Sequence, residues 1–571
     1  MNLAKIIKAA HGEEPVDLLL TNARIVNVFS GEIQTGSIAI SGGCIAGFGD
    51  YPAKKITDVN GRFVAPGFID AHVHIESSMT CITEFARAVL IHGTTTVAAD
   101  PHEIANVLGT QGIDYMLQSA EDQPMNIFFT LPSCVPATDL ETSGAKLAAE
   151  DLEPYMRNDR IIALAEMMNF PGVISSDPDI LSKLKIAKQY RKPIDGHAPG
   201  LQDKDLYAYI SAGISSDHEC TTAREAKNKL MAGMHIMIRQ GTGARNLKQL
   251  LPIVNENTAR RAMWCTDDRH PHDLLEQGHI DAIVGEAIAE GLDPLTAIQM
   301  ATINPAEYFG LRHLGAVAPG RQADMVVFAD MHSPQIEQVY YRGVLVAKDG
   351  EMIPDIKKPA PISIPPSMNV NIEAIDFSLR AEGKHIRVID IVPDQLITRQ
   401  VIERVTRHDG MAVSDPSRDL LKIAVVERHS GAGKIGKAFV KGLGLRAGAL
   451  ASSVAHDSHN IIVVGTNDED MKAASKAVVN MGGGLAIVSN QDTLARLPLP
   501  VAGLMSLEPV KYVHQQMNEL VRISLELGSS LKDPFMTLSF LALPVIPELK
   551  LTDLGLIDVN QFKVVPLFVD S

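Results

Sequence analysis

Short apolar runs that each end in polar residues recur through the middle of the chain. The stretches between them are long enough for a helix, so the pattern reads strand, polar strand end, helix. We count eight candidate strands, at residues 67–75, 94–99, 126–131, 161–165, 193–196, 213–216, 235–239 and 261–265. Eight strands that alternate with helices predict an α/β fold built on a closed (β/α)8 TIM barrel over residues 67–306.

The segments on both sides of the predicted barrel alternate apolar and polar residues over short distances. Residues 17–50 do so between closely spaced glycines, and residues 323–349 return to the same pattern. Such alternation is typical of antiparallel strands and hairpins. We therefore expect one small composite β-sandwich domain, formed by residues 1–66 together with the return strands in residues 307–353.

A proline-rich stretch separates these regions from the rest of the chain. Proline suits neither a helix interior nor a central strand, so residues 354–369 predict an extended linker. Residues 370–571 follow as a C-terminal α+β domain. At 571 residues the chain is longer than one hydrophobic core supports, which agrees with several domains.

Charge and composition narrow the classes of partner. The formal net charge of -16 disfavours binding to phosphate backbones, so we expect no nucleic acid partner. No run approaches the ~20 apolar residues of a membrane span, so we expect no membrane partner. Five scattered cysteines without a CxxC pair fit a reducing compartment, and we expect a cytoplasmic protein. The apolar residues of the C-terminal domain allow a homodimer.

The first predicted barrel strand carries two histidines, His72 and His74. Side chains at i and i+2 of a strand point the same way, so the two imidazoles can hold one metal ion. A polar pair at a strand end, without a metal, is the alternative interpretation.

Further polar residues stand where the later barrel strands end, at the face that carries active sites in this fold. They are Asp100, His102 and Glu103 after strand two, Glu166 after strand four, His197 after strand five, His218 and Glu219 after strand six, and Asp267 and Asp268 after strand eight. Strand three offers Ser133 and Cys134, and strand seven offers Arg239 and Gln240. A lone buried histidine is usually a hydrogen-bonded core residue. Four histidines with two carboxylates at the strand ends of one barrel instead predict a metal site.

Several of these residues stand in longer motifs. The most general is APGFIDAHVH at residues 65–74, followed in order by Glu166, His197, His218 and Asp267. More specific stretches are IESSM at 75–79, ADPHE at 99–103, AEMMN at 165–169, GHAPG at 196–200, DHE at 217–219 and SVAHDSHN at 453–460. Together these motifs resemble those of the amidohydrolase superfamily and, within it, the adenine deaminases. The resemblance extends over nearly the whole chain.

The resemblance implies a binuclear metal centre. His72 and His74 would bind one ion, His197 and His218 the second, and Glu166 would bridge the two where many relatives use a carboxylated lysine. Asp267 would contact the first metal and the attacking water as general base. Histidine and carboxylate ligands suit Zn2+, Fe2+ and Mn2+ alike. The resemblance points to Mn2+ or Fe2+, with two ions per active site.

The reaction that the resemblance implies is the hydrolytic deamination of adenine to hypoxanthine and ammonia. Glu219, His102 and Glu103 are candidate helpers in proton transfer to the leaving nitrogen, and the sequence does not rank them. The candidates for holding adenine are Glu76, Ser77, Asp100, Asn169 and Asp268. For Glu76 and Asp100, support of the histidine ligands is an equally good interpretation.

The sequence leaves two other classes of function open. One is a different amidohydrolase that acts on an amide or a cyclic amide, and the other is a catalytically silent binding scaffold. The motif HDSHN at residues 456–460 is also open to several interpretations. It could form another metal site, a loop over the barrel mouth, or a plain turn before a strand.

Overall fold

The computed structural model describes residues 3–353, 356, 362–393 and 395–569. One helix and five strands precede the barrel: α1 (Leu3–Ala10), β1 (Leu18–Asn27), β2 (Glu32–Ser41), β3 (Cys44–Phe48), β4 (Ile56–Asp58) and β5 (Phe63–Pro66). β1, β2 and β3 pair antiparallel in chain order. Gly42 and Gly43 join β2 to β3 with φ angles of 59° and 80°, which glycine adopts without steric cost in a tight hairpin.

Eight strands form the barrel: β6 (Phe68–His74), β7 (Thr94–Ala99), β8 (Asn126–Leu131), β9 (Ile161–Met167), β10 (Ile194–Gly196), β11 (Ser216–Asp217), β12 (His235–Arg239) and β13 (Ala262–Cys265). Neighbouring strands pair in parallel from β6 to β10 and from β11 to β13. A short strand after β13, β14 (Asp267–Asp268), pairs in parallel with β6. One hydrogen bond links these two sets of strands: the amide of Ser215, just before β11, donates to the carbonyl of Ile194 in β10 at 3.0 Å. The predicted α/β barrel fold is confirmed.

The sixth barrel strand differs from its predicted position. It occupies Ser216–Asp217 rather than residues 213–216. Gly213 has a φ of 108°, which lies outside the extended region, so the strand begins only after it. Asp217 is consequently part of the strand rather than the residue that follows it.

Helices surround these strands and connect their ends. They are α2 (Ile82–Leu90), α3 (His102–Leu108), α4 (Thr110–Ser119), α5 (Ala149–Leu152), α6 (Phe170–Ile174), α7 (Pro178–Gln189), α8 (Asp203–Ser211), α9 (Ala223–Met231), α10 (Leu247–Leu250), α11 (Pro271–Glu276), α12 (Ile280–Ala289), α13 (Pro294–Met300) and α14 (Ile303–Tyr308). Six of the eight strands contain only buried residues, because helices cover the outside and side chains fill the inside.

Four return strands follow the barrel: β15 (Met325–Phe328), β16 (Ile336–Tyr341), β17 (Val344–Lys348) and β18 (Glu351–Met352). β15 pairs with β5, so the strands before and after the barrel join in one nine-stranded sheet. Leu20, Ile38, Val64 and Met325 share its buried core.

In the predicted linker, residues 354, 355 and 357–361 lie outside the described residues. The domain boundaries stay predictions.

The C-terminal domain is built on an eight-stranded sheet. Its elements are β19 (His385–Ile391), β20 (Thr398–Arg404), β21 (Arg407–His408), β22 (Met411–Ala412), β23 (Leu421–Val426), β24 (Ile435–Lys441), β25 (Ala449–Ser452), β26 (Ile461–Gly465), α15 (Asp468–Asn480), β27 (Gly484–Ser489), β28 (Asp492–Pro498), α16 (Val510–Glu526), α17 (Pro534–Phe540), β29 (Leu549–Thr552), β30 (Gly555–Asp558) and β31 (Lys563–Val564). The strand order is β20-β19-β24-β23-β26-β25-β27-β28.

The C-terminal domain contacts the loop that follows β8. The amide and hydroxyl of Thr142 donate to Asp553 at 2.8 and 2.6 Å. Asn460 Nδ2 donates to the Thr142 carbonyl at 2.8 Å, and Thr552 Oγ1 donates to the Leu140 carbonyl at 2.7 Å. Because this loop leaves the carboxyl end of a barrel strand, these bonds hold the domain against the barrel mouth.

Within the described ranges, no helix combines the length and the apolar character that a membrane crossing needs. The five cysteines all fall in those ranges, and no disulfide joins any of them.

Candidate metal centre

The end of β6 brings His72 and His74 together, as their spacing predicts. Both rings are buried, and both Nε2 atoms face the same two carboxylates, Glu166 and Asp267. His74 Nδ1 lies 3.1 Å from the backbone oxygen of Asp100. A proton on Nδ1 can be donated there, which leaves Nε2 free to bind a cation.

Glu166, at the end of β9, lies between two pairs of imidazoles. Its Oε1 atom is 3.6 Å from His72 Nε2 and 3.3 Å from His74 Nε2. Its Oε2 atom is 2.6 Å from His197 Nδ1 and 3.3 Å from His218 Nε2. Each oxygen of this one carboxylate therefore faces a different pair of histidines.

Asp267 completes the side of the centre nearest His72 and His74. Its Oδ1 atom lies 3.5 Å from His72 Nε2 and 3.1 Å from His74 Nε2. The φ of Asp267 is 58°, a left-handed conformation that aspartate adopts more readily than most residues. This conformation occurs where β13 gives way to β14, and the pairing of β14 with β6 holds Asp267 opposite Val73.

Arg239, at the end of β12, joins two of the acidic groups. Its Nη1 atom donates to Asp267 Oδ2 at 2.6 Å and also to Glu219 Oε1. Its Nη2 atom donates to Glu219 Oε2 at 3.1 Å. The guanidinium therefore binds Glu219 through both oxygens and leaves Asp267 Oδ1 directed at the histidines.

The charges of the site favour a bound cation. Burial alone would raise the pKa of Glu166, but His218 and His197 lower it well below its ordinary range. Burial would also raise the pKa of Asp267, but Arg239, His72 and His74 lower it well below its ordinary range. Both carboxylates are therefore ionised around neutral pH, and they concentrate negative charge between four buried or half-buried imidazoles.

His102 and Asp100 lie beside this group. His102 Nδ1 is 3.0 Å from Asp100 Oδ2 and 3.5 Å from Glu166 Oε1. The backbone oxygen of Asp100 contacts the His74 ring, and the carboxylate of Asp100 contacts the His102 ring. These contacts favour the interpretation of Asp100 as support for histidines over direct contact with a substrate.

Three of the residues predicted to hold the substrate make hydrogen bonds close to their own positions or at the barrel mouth. Ser77 Oγ donates to Asp268 Oδ1 at 2.5 Å, next to Asp267. Glu76 Oε1 accepts the Ile104 amide at 3.2 Å, and burial, reinforced by the nearby Glu103 charge, raises the pKa of Glu76 to about 7. Asn169 Oδ1 accepts the Gly172 amide at 2.9 Å and caps α6.

Glu103 faces the C-terminal domain rather than the four histidines. Its Oε1 atom lies 3.0 Å from His456 Nδ1, and its Oε2 atom lies 3.2 Å from His459 Nε2. A small cavity beside Asp267 and Asp268 is also lined by residues of this domain, Leu396 and Phe540. The C-terminal domain therefore forms part of the wall around the site.

The sequence did not assign a role to Arg239. The available signal was a buried arginine at the end of β12, after the apolar residues 236–238, at the active face of the barrel. A buried arginine needs hydrogen-bond partners for its charge, and carboxylates are the strongest of these partners. That argument points to acidic neighbours but does not say which of the strand-end carboxylates they are.

The residues fit a metal centre. His72 Nε2 is buried and has no hydrogen-bond partner within the described part of the chain, although Asp267 Oδ1 and Glu166 Oε1 lie close to it. His72, His218 and Asp267 form one group whose ligand atoms lie within 4.8 Å of one another, and Glu166, His197 and His218 form another. Imidazole and carboxylate are the donors that Mn2+, Fe2+ and Zn2+ accept.

Comparison with known proteins defines the class. Residues 63–346 match the amidohydrolase family, and residues 395–563 match the adenine deaminase C-terminal domain. The barrel, the strand-end ligands and this match place the protein among the metal-dependent amidohydrolases.

Full-length relatives define the family more closely. An adenine deaminase of Desulfatibacillum aliphaticivorans is 56% identical over 99% of both chains. Those of Dehalococcoides mccartyi and Methanothrix thermoacetophila are 48% and 49% identical, over 99% and 100% of both chains. The chain belongs to the adenine deaminase family.

Proposed function

We propose that the chain hydrolyses adenine to hypoxanthine and ammonia at a binuclear metal centre. The ligands would be His72, His74, Glu166, His197, His218 and Asp267. The observation that carries the proposal is the position of Glu166, whose two oxygens face separate pairs of imidazoles. A carboxylate in this position can bridge two cations without the carbon dioxide that a carboxylated lysine requires. Divalent ions, when bound, would lower the pKa of water from about 15.7 toward ~7 and so supply hydroxide near neutral pH.

Asp267 is the general base in this proposal. Arg239 holds its Oδ2 atom, so Oδ1 is left to accept the proton of the attacking water. The amino nitrogen on C6 of adenine must then gain a proton before it leaves as ammonia, and Asp267 can return the proton that it accepted.

His102 is the helper that the contacts favour for this second proton transfer. Glu219 is engaged by Arg239 through both oxygens, and Glu103 faces the C-terminal domain. His102, in contrast, lies 3.5 Å from Glu166 Oε1 and is held by Asp100. The His102 ring is therefore held in place close to Glu166.

Asp268, Ser77 and Glu76 are the groups that we propose to recognise the purine. Burial, reinforced by the Asp267 charge, raises the pKa of Asp268. Burial also raises the pKa of Glu76 to about 7. A protonated carboxyl group can donate a hydrogen bond to a ring nitrogen of adenine, whereas an ionised one can only accept.

We also propose the finer details that the resemblance implies: two ions per site, of Mn2+ or Fe2+, in a cytoplasmic enzyme. The ligand set accommodates these ions, and the scattered cysteines suit a reducing compartment. A homodimer stays a prediction.

Replacement of the bridging carboxylate tests the proposal. Glu166→Gln keeps the shape of the side chain but removes its charge, so we expect metal to be lost from the centre and kcat to fall by about 1,000-fold or more. Metal content by mass spectrometry and adenine turnover are measured on the same sample. Glu141→Gln is the control, because burial already raises the pKa of Glu141 well above its ordinary range and glutamine resembles the protonated form. Full activity with full metal content in Glu166→Gln would contradict the bridging role.

A further inference from the structure

The C-terminal domain supplies the apolar wall of the cavity beside Asp267 and Asp268. Leu396, just before β20, and Phe540, the last residue of α17, are the two large apolar side chains that line this cavity. The barrel forms the other side through Arg239, Asp267, Asp268 and the loop that follows β12. The cavity therefore has a charged side on the barrel and an apolar side on the C-terminal domain, a combination that suits a flat apolar ring with polar edges.

The loop after β12 comes close to this apolar wall. A Cβ atom added at Gly243 would lie 3.2 Å from Leu396 Cδ2 and 4.0 Å from Phe540 Cε2. The first distance is shorter than an ordinary van der Waals contact, so a methyl group fits there only if Leu396 shifts. The barrel loop and the C-terminal domain therefore meet at this side of the cavity.

Several contacts fix the position of Phe540. Its ring stacks on the His456 ring with a centroid separation of 4.4 Å, and it belongs to a buried apolar cluster together with Leu543. At the other end of α17, the N-cap residue Asp533 places its Oδ2 atom 2.7 Å from Nδ1 of His270 in the barrel. Displacement of the Phe540 ring would therefore disturb contacts within the C-terminal domain and at the barrel.

The proposed reaction determines which edge of a purine faces this wall. C6 must face the side of the cavity that holds Asp267, because Asp267 accepts the proton of the attacking water. The edge with N3 and N9 lies across the ring system from C6, so it points toward the apolar side. A substituent on N9, the position that carries the sugar in nucleosides, is then directed at Leu396 and Phe540.

We propose that Leu396 and Phe540 are specificity-determining residues that restrict the substrate to purines without a substituent on N9. The inference rests on the proposed adenine deamination and gives the C-terminal domain a direct part in the choice of substrate. The rival explanation is polar: a carboxylate such as Asp268 accepts a hydrogen bond from N9–H, and a substituted purine lacks that proton. Truncation of an apolar side chain relieves exclusion by the wall and leaves exclusion by a hydrogen bond in place.

9-Methyladenine distinguishes the two explanations, because it differs from adenine by one methyl group in place of the N9 proton. We expect the ratio of kcat/KM for 9-methyladenine to kcat/KM for adenine to rise by about 10- to 200-fold in Phe540→Ala and in Leu396→Ala. Leu543→Ala is the matched control, because Leu543 belongs to the same apolar cluster but does not line the cavity. A loss of folded enzyme or of metal lowers both rates together, so a merely structural role leaves the ratio unchanged.

Gly243→Ala tests the wall without removal of a core side chain. Its methyl group must displace Leu396, so we expect kcat/KM for adenine to fall by about tenfold. Gly285→Ala, whose added methyl group meets no atom within 4 Å, should leave kcat/KM unchanged.

Unchanged ratios in both Phe540→Ala and Leu396→Ala, or a rise of the same size in Leu543→Ala, would overturn the proposal. If neither wall variant folds, unchanged adenine kinetics in Gly243→Ala would overturn it. Adenine turnover by the wild type is the reference in every assay. Its absence would contradict the proposed deamination and this inference with it, whereas adenine turnover with unchanged ratios would overturn this inference alone.

Discussion

Arg239 shows how one buried cation orders several acidic groups. It binds both oxygens of Glu219 and the Oδ2 atom of Asp267, and it is itself only 4% exposed. The guanidinium is planar and presents paired donors, so it fixes the orientation of a carboxylate as well as its charge. A lysine in its place would supply the charge from a single point.

Arg239→Lys tests this orienting role. We expect kcat/KM for adenine to fall by about 100-fold while the metal content stays at the wild-type level, because Asp267 stays ionised but is no longer held in position. Metal analysis and steady-state kinetics on one preparation give both quantities. Arg261→Lys, at a residue that donates to a backbone carbonyl far from the ligands, is the matched control. A kcat/KM within twofold of the wild type in Arg239→Lys would show that orientation by Arg239 is unimportant.

At the scale of elements, β29 holds in place two residues that line the cavity beside Asp267 and Asp268. Lys550 on this strand is fully buried, and its Nζ atom donates to the carbonyls of Leu396 and Phe540, each at 2.9 Å. The side chains of these two residues line the cavity beside Asp267 and Asp268. Burial without an acidic partner lowers the pKa of Lys550 to about 7.

The pKa of Lys550 predicts how stability depends on pH. The value in the folded protein lies below the ordinary 10.5, so between pH 7 and 10.5 the unfolded chain binds one more proton at this residue. This group therefore makes the unfolding free energy rise with pH over that window, by about 1.4 kcal/mol per pH unit, and its contribution levels off below pH 7.

Lys550→Met should remove this contribution and make the pH dependence of stability flatter between pH 7 and 9. Urea unfolding at several pH values measures the slope, and Lys227→Met, at an exposed lysine, should leave it unchanged. The slope is the quantity to compare, because methionine also leaves two carbonyls without a donor and lowers stability at every pH. An unchanged slope in Lys550→Met would contradict the buried, neutral lysine.

At the scale of the whole molecule, the C-terminal domain holds a barrel loop in place. Asp553 is 4% exposed and accepts both the amide and the hydroxyl of Thr142, and Asn460 donates to the Thr142 carbonyl. Asn460 is next to His459 in the chain, so this contact and the contact between His459 and Glu103 lie on the same interface. The loop and the two histidines that face Glu103 are thus held by one docking surface.

Removal of Asp553 should loosen this surface. We expect Asp553→Ala to lower the unfolding free energy by about 3 kcal/mol, because two hydrogen bonds to a charged group are lost. Thr142→Val removes only the hydroxyl bond and should cost about half as much. Denaturant midpoints measure the loss, and faster proteolysis within residues 132–148 would locate it. Equal stability of all three proteins would show that this contact is not part of the interface energy.

The barrel could be predicted from sequence, and the residues at its strand ends could be located, because their determinants are local. The i, i+2 spacing of His72 and His74 and the polar end of each apolar run need only the chain around them. The role of Arg239 could not be predicted, because it depends on which strand ends meet across the barrel. The placement of Glu103 against His456 and His459 depends on how two domains dock. Residues 456–460 showed their histidines in the sequence, but the glutamate that faces them is more than 350 residues away along the chain.

The measurement that tests the central claim most directly is adenine deamination during titration of metal-free enzyme with Mn2+. Loss of adenine and formation of hypoxanthine are followed by ultraviolet absorbance, beside chelator-treated protein and a panel of cyclic amides and adenosine. We expect no turnover without metal, a rise in the rate until the centre formed by His72, His74, Glu166, His197, His218 and Asp267 is filled with two ions, and no turnover of the cyclic amides. Full metal occupancy without hypoxanthine, or the same rate in the metal-free enzyme, would contradict metal-dependent adenine deamination by this chain.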